Sequence, residues 1–239
     1  MHAMTLLLPP VKAETLRSQV ENQLRQAIVG GLLRPGQKLV ERELCERLGV
    51  SRPSLREALR RLEAEKLIVN VPHRGPEVAR MTLAQARDLY AMRRLLEGFA
   101  AREFTRQATD AQVKALAKAV KRLREAGHKN NRAGVLEAKA EFYDILLGGC
   151  GNALVQEILG SLLSRVSLLR ATSLMLPERL PQSLEEIDAM LHCIQSKDAA
   201  GAQAIADRHV QNAEQAALGV FEKISHPSQQ ELLHEQGIF

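Results

Sequence analysis

The stretch GVSRPSLREALRRLEAEKL, residues 49–67, decides the fold. Ser51 stands where an N-cap residue accepts a hydrogen bond from a free N–H of the first helical turn. Pro53 suits a first-turn position, where a missing backbone donor costs nothing. Behind it Leu55, Leu59 and Leu62 recur at three- and four-residue spacing, with Ala58 among them, and form one apolar face. Arg52, Arg56 and Arg60 recur every four residues on a different stripe. Such a helix packs on a core through its leucines and offers guanidinium groups to a polyanion. Taken alone, the pattern fits a surface helix with solvated arginines equally well, so the flanking sequence has to decide.

Residues 41–48 read as a short helix with Leu44 and Leu48 inward, broken by Gly49. Two helices joined by a three- or four-residue turn containing glycine make the helix-turn-helix pattern. Upstream, residues 14–30 carry a helical stripe of Leu16, Val20, Leu24, Ala27 and Ile28, closed by Gly30 and Gly31. Pro35 and Gly36 stand where a type II turn wants them. After the arginine helix the period changes. Leu67, Ile68, Val69 and Val71 predict a short strand, Pro72, His73, Arg74, Gly75 and Pro76 a turn, and residues 77–80 a second strand. Three helices and a basic-tipped hairpin predict a winged helix-turn-helix domain over residues 12–80, preceded by a loose arm.

Charge follows the same division. Of the 33 Lys/Arg and 28 Asp/Glu, fourteen basic and nine acidic residues lie between Lys12 and Arg80, so the whole net charge of +5 sits there. The remaining nineteen of each sign cancel. A positive module on a neutral body fits a polyanion-binding head and a body with another task. The chain has 239 residues, 45% apolar and 26% charged, a globular composition. Only 3% are aromatic and Trp is absent, so the core is aliphatic. Cys45, Cys150 and Cys193 are widely spaced, form no CxxC pair and predict buried thiols in a reducing cytoplasm. The N-terminus MHAMTLLLPP lacks the basic region and apolar length of a signal peptide, and no stretch approaches a membrane span.

From Thr82, a predicted N-cap, the sequence turns wholly helical. Amphipathic runs cover residues 83–107, 110–126, 131–147, 153–174, 183–196 and 199–224, with Met175, Leu176 and Pro177 ending the fourth. Leu89, Arg93, Leu96 and Ala100 share one stripe of the first. Six helices with short connections predict an antiparallel bundle over residues 82–225, with 226–239 as a frayed tail. The expected fold is therefore mainly α: an N-terminal winged helix-turn-helix with a small β-hairpin wing, and a C-terminal six-helix bundle.

These residues carry a family resemblance. LRPGQKLVERELCERLGVSRPSLREALRRLEAEKLIV, followed by a glycine-containing wing, resembles the DNA-binding domain of GntR-family bacterial transcription regulators over residues 16–80. The family usually has Gly-Leu after the recognition helix where this chain has Lys66-Leu67, which asks Lys66 for a left-handed conformation or the helix for a different end. The resemblance implies DNA contacts at Arg42 on the second helix, at Ser51, Arg52, Ser54 and Arg56 at the recognition-helix start, and at His73, Arg74 and Gly75 in the wing. In the family the helix start enters the major groove and the wing tip reaches the minor groove. The chemistry agrees: arginine grips guanine O6 and N7 with two donors, and hydroxyls and N–H groups at a helix start hold phosphates. Arg60 and Arg61 lie further along and rank lower as base readers.

The body resembles the effector-binding domain of the FadR subgroup of GntR regulators, the FCD domain. YAMRRLLEGFAARE, Gly151-Asn152, and the spacing from SLEEID to DAAGAQAIADRHV carry that likeness. Many members hold a divalent metal on one Asp and three His. The matching positions here are Lys139, Tyr143, Ile187 and His209, so the metal site is expected to be lost and no cofactor is expected. A metal held instead by Glu141, Glu186 or His192 is the rival. Lys139 is expected to replace the metal by pairing with an effector carboxylate or phosphate, helped by Arg93, Tyr143 and His209 beside Ile187. The competing expectation is that Lys139 bonds Glu186 or another acid and no ligand enters. His192 and Cys193 adjoin an apolar face and read as core.

The expected protein is a cytoplasmic, nucleoid-associated homodimer that binds double-stranded, pseudo-palindromic operator DNA under control of a small-molecule effector, with no membrane role. Repression is the commoner outcome in such families. A DNA-binding protein with a purely structural bundle is the alternative. An enzyme with a DNA-binding head is a weaker one, since no catalytic constellation is readable.

Overall fold

The computed structural model describes residues 16–173 and 179–225. The head comprises α1 (Leu16–Val29), α2 (Glu41–Leu48), α3 (Arg52–Ala64) and a hairpin of β1 (Ile68–Val71) and β2 (Gly75–Val78). Val20, Leu24 and Ile28 of α1 meet Leu55, Ala58, Leu59 and Leu62 of α3, and Leu39, Leu67, Ile68 and Val78 close the same core. The leucine face of α3 is thus consumed inside the head and its arginine stripe is left outside.

Before α2, the Gln37 N–H donates to the Arg34 carbonyl at 2.9 Å, closing a turn with Pro35 and Gly36 at its centre. Gly36 has φ +79°, as the second central residue of a type II turn requires, and a Cβ there would stand 2.0 Å from Arg80 Nε. The following residues do more than turn. Val78 N–H donates to Gln37 O at 2.9 Å and Leu39 N–H to Pro76 O at 2.8 Å, and Lys38 bridges Glu77, so this segment flanks β2 as a third strand-like edge. Its single bridge leaves no periodic signal in the sequence.

Ser51 caps α3 in an extended conformation. The helix ends at Ala64, three residues before the end of the apolar-arginine stretch, through a Schellman closure: Lys66 N–H donates to Glu63 O and Leu67 N–H to Leu62 O, both at 2.9 Å. Lys66 takes φ 61°, the left-handed conformation that its place in the motif demands. The second strand is shifted from the predicted 77–80 to Gly75–Val78. The reversal needs only residues 72–74, because His73 (φ 63°) and Gly75 (φ 86°) both take positive φ. Gly75 and Pro76 are therefore free to pair with Val71 and Asn70.

The body is built from α4 (Leu83–Gln107), α5 (Asp110–His128), α6 (Arg132–Gly148), α7 (Ala153–Ser173), α8 (Arg179–Gln195) and α9 (Ala199–Ser225). Thr82 and Thr109 start α4 and α5 with reciprocal capping boxes to Gln85 and Gln112, and Asn131 caps α6. α4 packs most extensively on α9, α5 on α6, and α8 on both α5 and α9. Leu116, Leu123, Phe142, Leu146, Met190 and Ile194 lie at the centre of the largest apolar cluster. α8 begins four residues before the predicted 183, because Pro181 falls in its first turn, where no N–H is needed. α5 runs two residues past its predicted end, to His128. Of the cysteines, all free, only Cys150 is fully buried, whereas Cys45 and Cys193 are half-buried. The N-terminal arm, the Met175-Leu176-Pro177 stop and the 226–239 tail fall outside the described residues.

Candidate nucleic-acid interface and buried polar cluster

The head presents the arginines where their spacing placed them. Arg52, Arg56 and Arg60 of α3 are exposed, as are Arg42 of α2 and His73 and Arg74 at the wing tip. Ser51 and Ser54 flank the start of α3 with their hydroxyls 3.0 Å apart. Arg52 makes no ion pair among the described residues. Arg74 Nε lies 3.4 Å from Glu77 on its own hairpin. Arg56 Nε lies 3.0 Å from both oxygens of Glu41, the first residue of α2. Between α3 and the wing runs an open groove of about 350 Å³, lined by Glu41, Arg56, Arg60, Asn70 and Gly75 among others. The helix start carries Arg52 and the wing tip His73 and Arg74, and the groove between α3 and the wing is lined by Arg56 and Arg60 together with Glu41 and Glu63. The sequence reading missed Glu41 as part of it, since an acid on a DNA-facing helix carries no signal of its own.

Inside the body, α4, α6, α8 and α9 each contribute to a cluster of buried polar side chains. Arg93 and Glu97, one turn apart on α4, are 1% and 2% exposed and pair at 2.5 Å. Tyr143 of α6 accepts from Arg93 at 3.2 Å and donates to Glu97 at 3.0 Å. Arg93 Nη1 is buried with no hydrogen-bond partner among the described residues. Lys139, one turn before Tyr143, donates to the Ser183 hydroxyl at 2.8 Å. Arg179, at the start of α8, places both terminal nitrogens 3.0 Å from one Glu186 oxygen and reaches the His209 carbonyl at 3.2 Å. The same Glu186 oxygen lies 2.5 Å from His209 Nδ1, and Asn212 donates to the other at 2.6 Å.

Electrostatics set the charge states. Burial pushes the Glu186 carboxyl up, but the bonds from His209 and Asn212 and the nearby Arg179 outweigh it and hold the group at about 2. Burial pushes the His209 imidazole down to about 4, with Lys139 and Arg179 adding to the fall and Glu186 and Glu97 opposing it. His209 is therefore neutral at pH 7, with Nδ1–H donating to Glu186. Burial would lower the Arg93 guanidinium, but Glu97 beside it raises it, so it stays charged. Among the described residues, the buried charged side chains of this cluster are Arg93, Lys139 and Arg179 with Glu97 and Glu186.

Of the effector positions read from sequence, Arg93, Lys139, Tyr143 and His209 come to one region. Ile187 belongs to the apolar cluster that also holds Tyr143, Phe142 and Met190, next to Glu186 in the chain. Lys139 takes a hydroxyl from α8, while Glu186, the acid considered for it, is engaged by Arg179, His209 and Asn212. Glu97, Arg179, Ser183 and Asn212 were not singled out from sequence. Glu97 was findable as the i+4 partner of Arg93. Arg179 was not, because it precedes a proline in what read as a linker.

The donor set does not suit a divalent metal. An ammonium, a phenol already bonded to Arg93 and Glu97, an aliphatic chain and one imidazole whose Nδ1 faces Glu186 are not a ligand shell. The rival ligands do not gather either: Glu141 pairs with Arg122, Glu186 with Arg179, and His192 is exposed. Among the described residues no helix is long and apolar enough to cross a membrane.

A three-helix head with a hairpin wing, joined to a six-helix body around a polar cluster, defines a winged helix-turn-helix protein with an all-helical second domain. Residues 16–78 match the family of bacterial regulatory proteins, gntR family, and residues 88–212 match the FCD domain, so the chain belongs to the GntR family and carries its FCD class of body. Curated relatives include an uncharacterized HTH-type transcriptional regulator, YdhC, of Bacillus subtilis (strain 168), 26% identical over 59% of this chain and 63% of the relative. The HTH-type transcriptional repressor RspR of Escherichia coli (strain K12) is 30% identical over 56% of this chain and 58% of its own length. The Glc operon transcriptional activator of the same strain is 31% identical over 49% of this chain and 53% of its own. The match thus spans less than two thirds of each relative. Among solved structures, E. coli McbR/YncC superposes with TM-score 0.78 at 22% identity, over 87% of this chain and 99% of that one. A putative transcriptional regulator GntR from Rhodococcus sp. RHA1 gives TM-score 0.72 at 24% identity, over 85% and 97%. At those identities the two establish the fold.

Proposed function

We propose that this protein is a transcription regulator that binds double-stranded operator DNA through Arg42, the start of α3 and the wing, and whose DNA affinity responds to a small-molecule effector in the bundle. The observation that carries the DNA reading is the exposed stripe Arg52, Arg56 and Arg60 on a helix whose opposite face is locked into the head core. Nineteen acidic and nineteen basic residues balance outside the head, which leaves the head as the electropositive part. Selection from a random duplex pool, followed by titration of the recovered sequence across salt concentrations, tests it. Recovery of no preferred sequence would overturn it. The sign of regulation is assigned as repression, following RspR, while the Glc relative is named as an activator; a reporter fused to the recovered operator reads it directly.

For the effector we favour an organic acid. Arg93 Nη1, buried and without a hydrogen-bond partner among the described residues, and the buried ammonium of Lys139 support an incoming carboxylate held by Arg93 and Lys139. No divalent ion takes part in this reading. Thermal shift against a panel of mono-, di- and tricarboxylates, with and without chelator, tests both halves, because a specific ligand raises the melting temperature. Equal response of wild type, Lys139→Ala and Arg93→Ala would remove these residues from the site, and loss of the response with chelator would restore a metal. A purely structural bundle is the second reading, favoured by how fully Arg179, Glu186, His209 and Asn212 satisfy one another. Its mark is no shift with any acid.

The regulator acts as a homodimer in this reading. Met92 and Leu95 on α4 and Leu154 and Ile158 on α7 are exposed on neighbouring helices, an apolar strip that a second copy would cover. Two-fold pairing would present two α3 helices to a pseudo-palindrome. Sedimentation equilibrium of wild type and Leu95→Glu tests it: a monomeric wild type rejects the dimer, and an unaffected dimer in the variant moves the interface elsewhere. In this reading the protein works where operator DNA lies, in the cytoplasm at the nucleoid.

A further inference from the structure

Within the arginine stripe of α3, Arg56 alone is held by an acid among the described residues. Its Nε lies 3.0 Å from each oxygen of Glu41. The contact joins the first residue of α2 to the middle of the first turns of α3, across the helix-turn-helix. It uses the nitrogen nearest the chain. Nη1 and Nη2, the pair that could reach a guanine edge, remain on a side chain that is 61% exposed. Both residues line the groove between α3 and the wing.

An exposed arginine has four soft torsions and loses their freedom when it docks. A carboxylate that already fixes Nε removes part of that cost and sets the plane of the guanidinium before DNA arrives. The arrangement is odd for a surface whose task is to attract phosphates, because Glu41 subtracts charge from it. A carboxylate kept there must return something other than general affinity.

We infer that Glu41 is a positioning residue for DNA reading: it aims the Nη pair of Arg56 at one base pair in each half-site and trades overall affinity for discrimination. This rests on the DNA-binding reading above. The two effects of removing it have opposite signs. Loss of a negative charge tightens binding to every duplex through the phosphates. Loss of the brace lets Arg56 wander and weakens the preference at the base pair it reads.

The experiment uses the full-length protein. A preferred duplex is selected with wild type. Binding is then measured for wild type, Glu41→Gln, Glu41→Ala, Arg56→Ala and Glu41→Ala/Arg56→Ala against that duplex, each single-base-pair variant of it, and a scrambled duplex. Melting temperatures confirm folding, and Glu41→Gln provides an isosteric variant should Glu41→Ala fail to fold. Expected is a loss of about tenfold in discrimination at one symmetry-related pair of positions, the same positions that Arg56→Ala relaxes. Affinity for scrambled DNA should be equal or higher, and the double variant no less discriminating than Arg56→Ala. Uniform tightening on all duplexes with the base preference intact would show that Glu41 acts only as a charge and overturn the inference. So would a loss at positions unrelated to Arg56, or additive losses in the double variant. Failure of wild type to prefer any sequence, or indifference of all duplexes to Arg56→Ala, is a different outcome: it rejects Arg56 as a reader, and Glu41 with it.

Discussion

The Nδ1 of His209 lies 2.5 Å from the same Glu186 oxygen that receives both terminal nitrogens of Arg179. One carboxylate oxygen on α8 therefore joins two helices and is shared between a guanidinium and a neutral imidazole. His209 is held at about 4 and Glu186 at about 2, which makes the bundle acid-sensitive in two windows. Between the imidazole's ordinary value and about 4, the unfolded chain binds a proton at His209 that the native fold refuses. Stability therefore falls as pH drops through that range. Glu186 works likewise lower down: its contribution is present above the ordinary carboxyl value and is lost as pH falls toward about 2. His209→Gln should remove the upper fall, on the order of 3 kcal/mol, while a drop at lower pH remains. Urea unfolding from pH 7.5 down to pH 4 measures it, and superimposable wild-type and variant profiles would refute the assignment.

Glu186 also neutralises Arg179, which is only 4% exposed. Glu186→Ala strands a buried cation and should cost about 3–5 kcal/mol. Replacing both, as Arg179→Met/Glu186→Leu, removes the stranded charge and should recover most of that loss. Denaturant midpoints decide. A double variant as damaged as the single one would mean that Arg179 is held chiefly by the His209 carbonyl, 3.2 Å away.

The parts of this protein that announce themselves in sequence are those governed by short-range periodicity. The leucines and arginines of α3 alternate at helical spacing, so both its buried and its exposed faces were readable, and Thr82 marked the start of α4 to the residue. Readings failed where a partner lies far along the chain. The pairing of Lys38 with Glu77 has no local pattern, and it helps fix a strand that the sequence placed two residues later. Arg179 meets Glu186 across two turns and His209 thirty residues on, and Pro181 disguised the helix that carries it. Glu41 reaches Arg56 only because the turn at Gly49 folds α2 against α3.

Lys66 offers a local test. It closes α3 with φ 61°, a conformation that costs a residue with a Cβ about 1–2 kcal/mol and glycine almost nothing. Lys66→Gly should therefore stabilise the head by about 1 kcal/mol after the added freedom of the unfolded chain is subtracted. The denaturant midpoint should rise with unchanged slope. A lower midpoint would show that the lysine side chain contributes more to the native head than its backbone costs.

The arginines of α3 should not be equivalent on DNA. Arg52 is exposed at the helix start and makes no ion pair among the described residues, while Arg56 is braced by Glu41 one turn on. Arg60 lies a further turn away, although it too lines the groove beside the wing. A helix that enters the major groove by its N-terminal end brings its first turns to the bases and leaves later turns near the phosphates. Arg52→Ala and Arg56→Ala should each cost about 1–3 kcal/mol on the selected duplex and relax the preference at particular positions. Arg60→Ala should weaken all duplexes alike and lower the salt slope by about one. Titration of the three variants against selected and scrambled duplexes at several salt concentrations separates the two behaviours. If Arg60 proves the base reader and Arg52 the uniform contact, the helix lies along the groove rather than pointing into it.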